Sequence, residues 1–128
     1  MEGSGHRNGD TFAIREAQGA RTQSLFRDIN ERVREINHAF NHVLPLGDWV
    51  CECANDRCTE RLHVAVDEYE GVRSDGATFL VMPSQLHVDP EIEDITKRRD
   101  EYWVVKKRGQ AAELARAIDP RVVGLRGR

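Results

Sequence analysis

The sequence lacks the features that mark secreted and membrane proteins. It contains three cysteines in 128 residues, and an odd number would leave one thiol unpaired in a disulfide framework. No apolar run approaches the length that a bilayer requires, and the first residues are too polar for a secretory signal. Aromatic residues are only 6% and charged residues 32% of the chain, which favours a soluble protein. We therefore expect a cytoplasmic protein with reduced thiols.

Sequence signatures of common enzymes are also missing. The chain contains no G-x-S-x-G, no P-loop, no G-x-G-x-x-G and no H-x-E with the P-C-x-x-C of zinc deaminases. The net charge of -3 lacks the basic excess that is typical of nucleic-acid-binding domains. The sequence therefore indicates a small protein with no evident catalytic site.

The cysteines that are present lie close together in the sequence. Cys51, Cys53 and Cys58 form a C-x-C-x4-C cluster. This spacing presents three thiolates to one point, and a tetrahedral zinc ion then needs one further donor. With an imidazole as that donor the coordination shell would be complete. The cluster therefore predicts a structural Zn2+ site rather than a catalytic one.

Two histidines are candidates for the fourth ligand. His63 follows Cys58 closely, whereas His87 lies farther along the chain. Residues 62–66 alternate with period two, which turns Leu62 and Val64 toward a core and His63 toward solvent. We take His87 as the candidate ligand and keep His63 as the alternative.

An amphipathic pattern precedes the cysteines. Residues 1–20 are expected to be mostly flexible, and residues 21–44 carry apolar side chains at alternating spacings of three and four, which predicts a helix. Such a narrow seam can pair with a second helix, in a homodimer or with another protein, or it can cover the core of its own domain. The candidate partner-binding residues of this seam, which begins at Leu25 or Phe26, are Ile29, Val33, Ile36 and Phe40.

The rest of the chain predicts an α+β domain over residues 48–120, followed by a basic tail at residues 121–128. A capping box of Asp67 and Glu70 is expected to open a short helix. Residues 89–97 favour neither a helical turn nor a strand. The expected strands are 49–50, 62–66, 78–82 and 102–106, and the expected helices are 68–73 and 110–118.

Basic residues cluster near the last predicted strand. Lys106, Lys107 and Arg108 follow Tyr102 and Trp103, so this hairpin is a candidate for binding phosphates with an aromatic ring stacked on a base. The alternative is an edge strand that lysines protect against aggregation. Acidic residues interrupt the basic run, which favours the edge strand.

Several segments of the chain resemble a group of small actinobacterial proteins. The resemblance covers residues 21–121 and is carried by the C-x-C-x4-C cluster, the E-Y-E-x-V-R segment at 68–73, His87 and the Asp119-Pro120-Arg121 segment. In that group a Pro-Gly pair usually precedes the histidine, whereas Pro83-Ser84-Gln85-Leu86 stands here. The resemblance implies a shared fold and a metal site, and it favours His87 as a ligand. It implies no activity.

Together these patterns predict a small cytoplasmic, zinc-stabilised α+β module that binds or regulates a partner and has no evident catalytic site. Two alternatives remain open. The first is a nucleic-acid-associated zinc module that uses the basic hairpin. The second is a redox sensor in which oxidation of the thiols releases zinc.

Overall fold

The computed structural model describes residues 4–39 and 46–121. A helix comes first and a mixed arrangement of two small sheets and further helices follows, so the fold class is α+β, as the sequence predicts. In chain order the elements are α1 (Ser4–Ala39), β1 (Leu46–Val50), β2 (Arg61–Ala65), α2 (Val66–Val72), β3 (Thr78–Val81), a short 3-10 helix (Gln85–His87), β4 (Glu93–Arg98), β5 (Trp103–Lys107) and α3 (Gly109–Ala117).

The strands form two separate antiparallel sheets. β1 pairs with β2, and β5 lies between β3 and β4 in the second sheet. In β2 the side chains of Leu62 and Val64 are buried and that of His63 is exposed, which confirms the predicted alternation. Trp49 of β1 stacks on Tyr69 of α2 with ring centroids 4.1 Å apart. This aromatic pair lies in the apolar core, where both residues are fully buried.

The helix α2 begins earlier than the sequence predicts. It starts at Val66, directly after β2, and its N-cap is Ala65, which makes no side-chain cap hydrogen bond. The predicted capping box of Asp67 and Glu70 is therefore wrong. Asp67 and Glu68 instead lie in the first turn, where a negative charge interacts favourably with the positive end of the helix dipole.

The helix α1 begins at Ser4 and not at Arg21. Before Arg21 it packs through the small residues Gly19 and Ala20, which give little apolar periodicity in the sequence. At Gly19 an added Cβ would lie 3.4 Å from Ile92 Cδ1 and 3.6 Å from Ala54 Cβ, so this glycine permits a close approach. Phe40 and the other residues of the predicted helix up to 44 lie outside the described residues, as does the tail at 122–128.

The buried face of α1 is largely polar, and large apolar side chains lie exposed on its outer face. Gln23, Arg27 and Asn30 are fully buried, whereas Leu25 and Ile29 remain 59% and 42% exposed. The helix therefore covers the core of its own domain mainly with polar side chains, and not with the predicted apolar seam as a whole. The body of the domain holds it through hydrogen bonds, for example from Arg27 to the backbone oxygen of Ala115 at 3.0 Å.

Candidate metal centre

The first three candidate ligands lie on the connection between β1 and β2. The backbone N–H of Cys51 continues the pairing with a hydrogen bond of 3.0 Å to Glu60 O. Between Cys53 and Cys58 the chain turns back on itself at Asn55. The side-chain oxygen of Asn55 accepts a 3.0 Å hydrogen bond from the N–H of Arg57, and its backbone oxygen accepts one of 3.0 Å from the N–H of Cys58. This tight turn returns the third thiol toward the first two.

The fourth candidate ligand lies on the connection between β3 and β4. His87 ends the 3-10 helix Gln85–His87, whose N-cap is Ser84. The Ser84 side chain accepts a 3.2 Å hydrogen bond from the N–H of Leu86, and its carbonyl accepts one of 3.0 Å from the N–H of His87. The segment before His87 thus forms a capped turn that presents the imidazole.

These four side chains converge on one point. One ligand atom from each of Cys51, Cys53, Cys58 and His87 lies within 4.8 Å of all the others. The Nδ1 atom of His87 is 3.5 Å from Cys51 Sγ and 3.7 Å from Cys58 Sγ. Metal–ligand bonds of about 2.3 Å to sulfur and about 2.0 Å to nitrogen in a tetrahedral shell require a sulfur–nitrogen separation of about 3.6 Å. The group is therefore close enough to hold a metal ion, with Nδ1 as the imidazole donor.

His63 is not part of this group. Its side chain is 72% exposed and its Nδ1 atom lies 3.8 Å from Asp48 Oδ1, on the neighbouring strand. The strand alternation that buries Leu62 and Val64 is the physical reason, because one residue along a strand turns a side chain to the other face. The structure thus brings His87 to the cysteines and leaves His63 at the surface.

The thiols are electrostatically unequal. Hydrogen bonding from the Cys51 thiol lowers the pKa of Cys53 to about 5, and the same contact together with burial raises the pKa of Cys51. Burial also raises the pKa of Cys58. The backbone N–H of Met82 lies 3.3 Å from Cys51 Sγ, where it can donate to a thiolate. Binding of a metal would therefore release protons from Cys51 and Cys58, which makes metal affinity dependent on pH.

A buried carboxylate between two of the ligands is absent from the sequence predictions. Glu52 is fully buried. Its Oε1 accepts a 2.9 Å hydrogen bond from the N–H of Leu80, and its Oε2 accepts bonds of 2.8 Å from Tyr69 and Asn30. Burial raises the pKa of Glu52. Because these contacts anchor the residue between Cys51 and Cys53, they fix the direction of both thiols.

A second buried charge network ties α1 to the segment that follows α3. The guanidinium of Arg73 has no exposed side-chain surface and lies 3.3 Å from Asp119 Oδ2 and 3.1 Å from Glu31 Oε2. Arg121 also donates to Glu31, at 2.9 Å, and to Glu70. The roles of Asp119 and Arg121 cannot be predicted from the residues around them, since their partners lie far away in the chain.

The candidate phosphate-binding residues do not form one basic surface. The Lys107 side chain is 0% exposed and its ammonium lies 3.1 Å from Glu93 Oε1. Lys106 lies 3.4 Å from Asp75, and Arg108 lies 2.5 Å from Asp94. Period-two alternation along β5 explains the difference, because it sends Lys107 inward between two outward neighbours.

The candidate partner surface is also divided. Ile29 is 42% and Ile36 is 57% exposed, whereas Val33 is partly buried and packs against the apolar core. Phe40 lies outside the described residues. Leu25, one of the two residues at which the predicted seam can begin, is also exposed and extends the exposed part of the seam toward the N-terminus.

Comparison of the chain with protein families, with curated proteins and with solved structures gave no match.

Within residues 4–39 and 46–121, no helix combines the length and apolar character needed to cross a membrane.

Proposed function

We propose that this protein is a small cytoplasmic module that Zn2+ stabilises and that has a binding or regulatory role rather than a catalytic one. The convergence of Cys51, Cys53, Cys58 and His87 carries the proposal. Three soft thiolates and one imidazole within 4.8 Å of one another form a donor set that zinc prefers over hard cations such as Mg2+ and Ca2+. Reduced thiols of this kind fit the cytoplasm.

The donor set supports a structural role for the ion. Four protein ligands fill a tetrahedral shell and leave no position for a water or a substrate. The three cysteines lie on the connection between the two strands of the first sheet, and His87 lies on the connection between β3 and β4 of the second. An ion at this point would join the two sheets, so its binding energy would contribute directly to folding.

The binding role rests on α1. The polar face of α1 packs against the domain itself. The large apolar side chains on its outer face have no partner among the described residues. Exposed apolar stripes of this kind are common at protein–protein contacts. We therefore assign the partner surface to α1 and not to the basic hairpin, whose Lys107 is buried in an ion pair.

Native mass spectrometry combined with elemental analysis of the purified, reduced protein tests the metal. One bound zinc per chain is expected. Cys53→Ser and His87→Ala should lose zinc and melt at a lower temperature, because an incomplete ligand set forfeits energy that is coupled to folding. His63→Ala is the matched control and should retain the ion. A Cys53→Ser protein that keeps both zinc and a cooperative melt would refute the structural zinc site.

A further inference from the structure

We infer that the outer stripe of α1, formed by Leu25, Ile29 and Ile36, binds the same stripe of a second copy of this chain in antiparallel orientation. The inference rests on the proposed binding role of α1 and is independent of the metal. It names the partner of that surface.

The first observation is the exposure of the stripe. Leu25 is 59%, Ile29 42% and Ile36 57% exposed. Positions 25, 29 and 36 fall on one side of a helix with 3.6 residues per turn. The fully buried residues Arg27 and Asn30 lie on the opposite side. The domain itself therefore cannot cover these three side chains.

The second observation is the charge beside the stripe. Asp28 and Arg32 are both exposed and lie one turn apart next to Ile29. In an antiparallel pair, the alignment that places Asp28 opposite Arg32 of the partner subunit also places Arg32 opposite the partner's Asp28. The same alignment brings Leu25 within one residue of the partner's Ile36. Both the charges and the apolar side chains are thus self-complementary, as an interface with two-fold symmetry requires.

The charges also separate a second copy from a lipid surface. Helices that lie on membranes carry Lys and Arg along the polar face, which anionic headgroups attract. Here the exposed charges beside the stripe on α1 are mixed, with the acids Asp28 and Glu35 next to Arg21 and Arg32, and the whole chain has a net charge of -3. The stripe therefore lacks the basic excess that an anionic membrane attracts, whereas mixed signs favour pairing of the helix with itself.

Sedimentation velocity of the zinc-loaded, full-length protein over a wide range of concentrations tests the apolar contact. The wild type should show a reversible dimer. Ile29→Asp should raise the dimer dissociation constant by about 100-fold or more, because each dimer would bury two carboxylates. Ala13→Asp places the same new charge at an exposed position of α1 outside the stripe and should leave the dimer unchanged.

Charge reversal tests the pairing partner. Asp28→Arg and Arg32→Asp should each weaken the homodimer, and a mixture of the two variants should associate about as well as the wild type. In each variant alone, positions 28 and 32 of the same chain carry the same charge and cannot pair. Association that returns in the mixture therefore reports an ion pair between two chains.

Three results would overturn the inference. They are a wild type that stays monomeric, a dimer that Ile29→Asp does not weaken, and a mixture that does not recover association. Binding of wild type to vesicles of anionic phospholipid, lost in Ile29→Asp without any dimer, would assign the stripe to lipid instead. Zinc is measured in every sample, so a dimer without zinc would count against the metal site alone.

Discussion

The amide of Asn30 donates a hydrogen bond of 2.8 Å to the carboxylate of Glu52, the residue between Cys51 and Cys53. Asn30 also donates to the carbonyl of Val50 and accepts from its N–H, each at 2.8 Å. One side chain in the middle of α1 therefore holds both the end of β1 and the start of the ligand loop. The helix and the candidate metal centre act as one structural unit.

Replacing Asn30 should disturb both stability and metal binding. In Asn30→Ala the N–H and C=O of Val50 and the carboxylate of Glu52 lose partners in a poorly hydrated place, at about 1–3 kcal/mol for each group left unpaired. Urea unfolding should show a lower midpoint, and competition with a zinc chelator should show weaker zinc affinity. Glu35→Ala, an exposed change on the same helix, should alter neither. Unchanged zinc affinity in Asn30→Ala would separate the helix from the metal centre.

Local patterns in the sequence predict much of this structure. The strand Arg61–Ala65 and the helix Gly109–Ala117 follow from the period of their apolar residues over a few positions. The grouping of Cys51, Cys53 and Cys58 depends on a single short loop, so their spacing alone indicates the site. These features need no knowledge of distant parts of the chain.

Features that depend on distant contacts could not be predicted in this way. Apolar periodicity places Gln23, Arg27 and Asn30 on the outer face of α1, yet all three are buried, and each donates a hydrogen bond to a backbone oxygen far along the chain. Glu52 is likewise buried. A sequence pattern records which residues are polar but not where their hydrogen-bond partners come from.

The exposed and half-buried parts of the α1 seam should respond differently to a new charge. Val33→Asp should lower the free energy of unfolding by a few kcal/mol, because Val33 packs against the core and a carboxylate there would be partly desolvated. Ile29→Asp should change the stability of the monomer by about 0.5 kcal/mol or less, as exposed substitutions generally do. Urea unfolding at low protein concentration measures both. Equal destabilisation by the two variants would mean that α1 packs through its apolar face.

The buried pair of Lys107 and Glu93 predicts that a lysine in the basic hairpin is needed for folding. Burial lowers the pKa of Lys107, although Glu93 acts in the opposite direction. Lys107→Gln would leave the carboxylate of Glu93 buried without its cation, at a cost of about 3–5 kcal/mol in the free energy of unfolding. Lys106→Gln is the control, since the Lys106 side chain is 45% exposed and a surface pair contributes about 0–1 kcal/mol.

A double variant separates the ion pair from general damage to the core. Lys107→Met with Glu93→Leu removes both charges and keeps apolar volume, so it should recover most of the stability that Lys107→Gln loses. Urea unfolding of the single and double variants measures the recovery. If the single variant is as stable as the wild type, the lysine is not buried in this pair.

The pair of Arg73 and Asp119 predicts a dependence of stability on pH. Burial tends to raise the pKa of Asp119, but hydrogen bonds from Arg73 and from the N–H of Arg121 outweigh it, and the pKa is lowered. A carboxyl group with a lowered pKa in the folded state contributes stability above its unfolded pKa of about 3.9 and loses it as the pH falls through the folded value.

The comparison of wild type with Asp119→Asn isolates this contribution. The gap in the free energy of unfolding between the two proteins should be largest near neutral pH and should narrow as the pH falls below about 4, since protonation of Asp119 then makes the wild type resemble the variant. Urea titrations at a series of pH values measure the gap. Both proteins lose metal as their thiolates are protonated, so metal release cancels in the difference.

Asp100→Asn removes an exposed acid and controls for the loss of one charge. A gap for Asp119→Asn that stays constant from neutral pH to pH 3 would show that Arg73 does not hold this carboxylate in the folded protein.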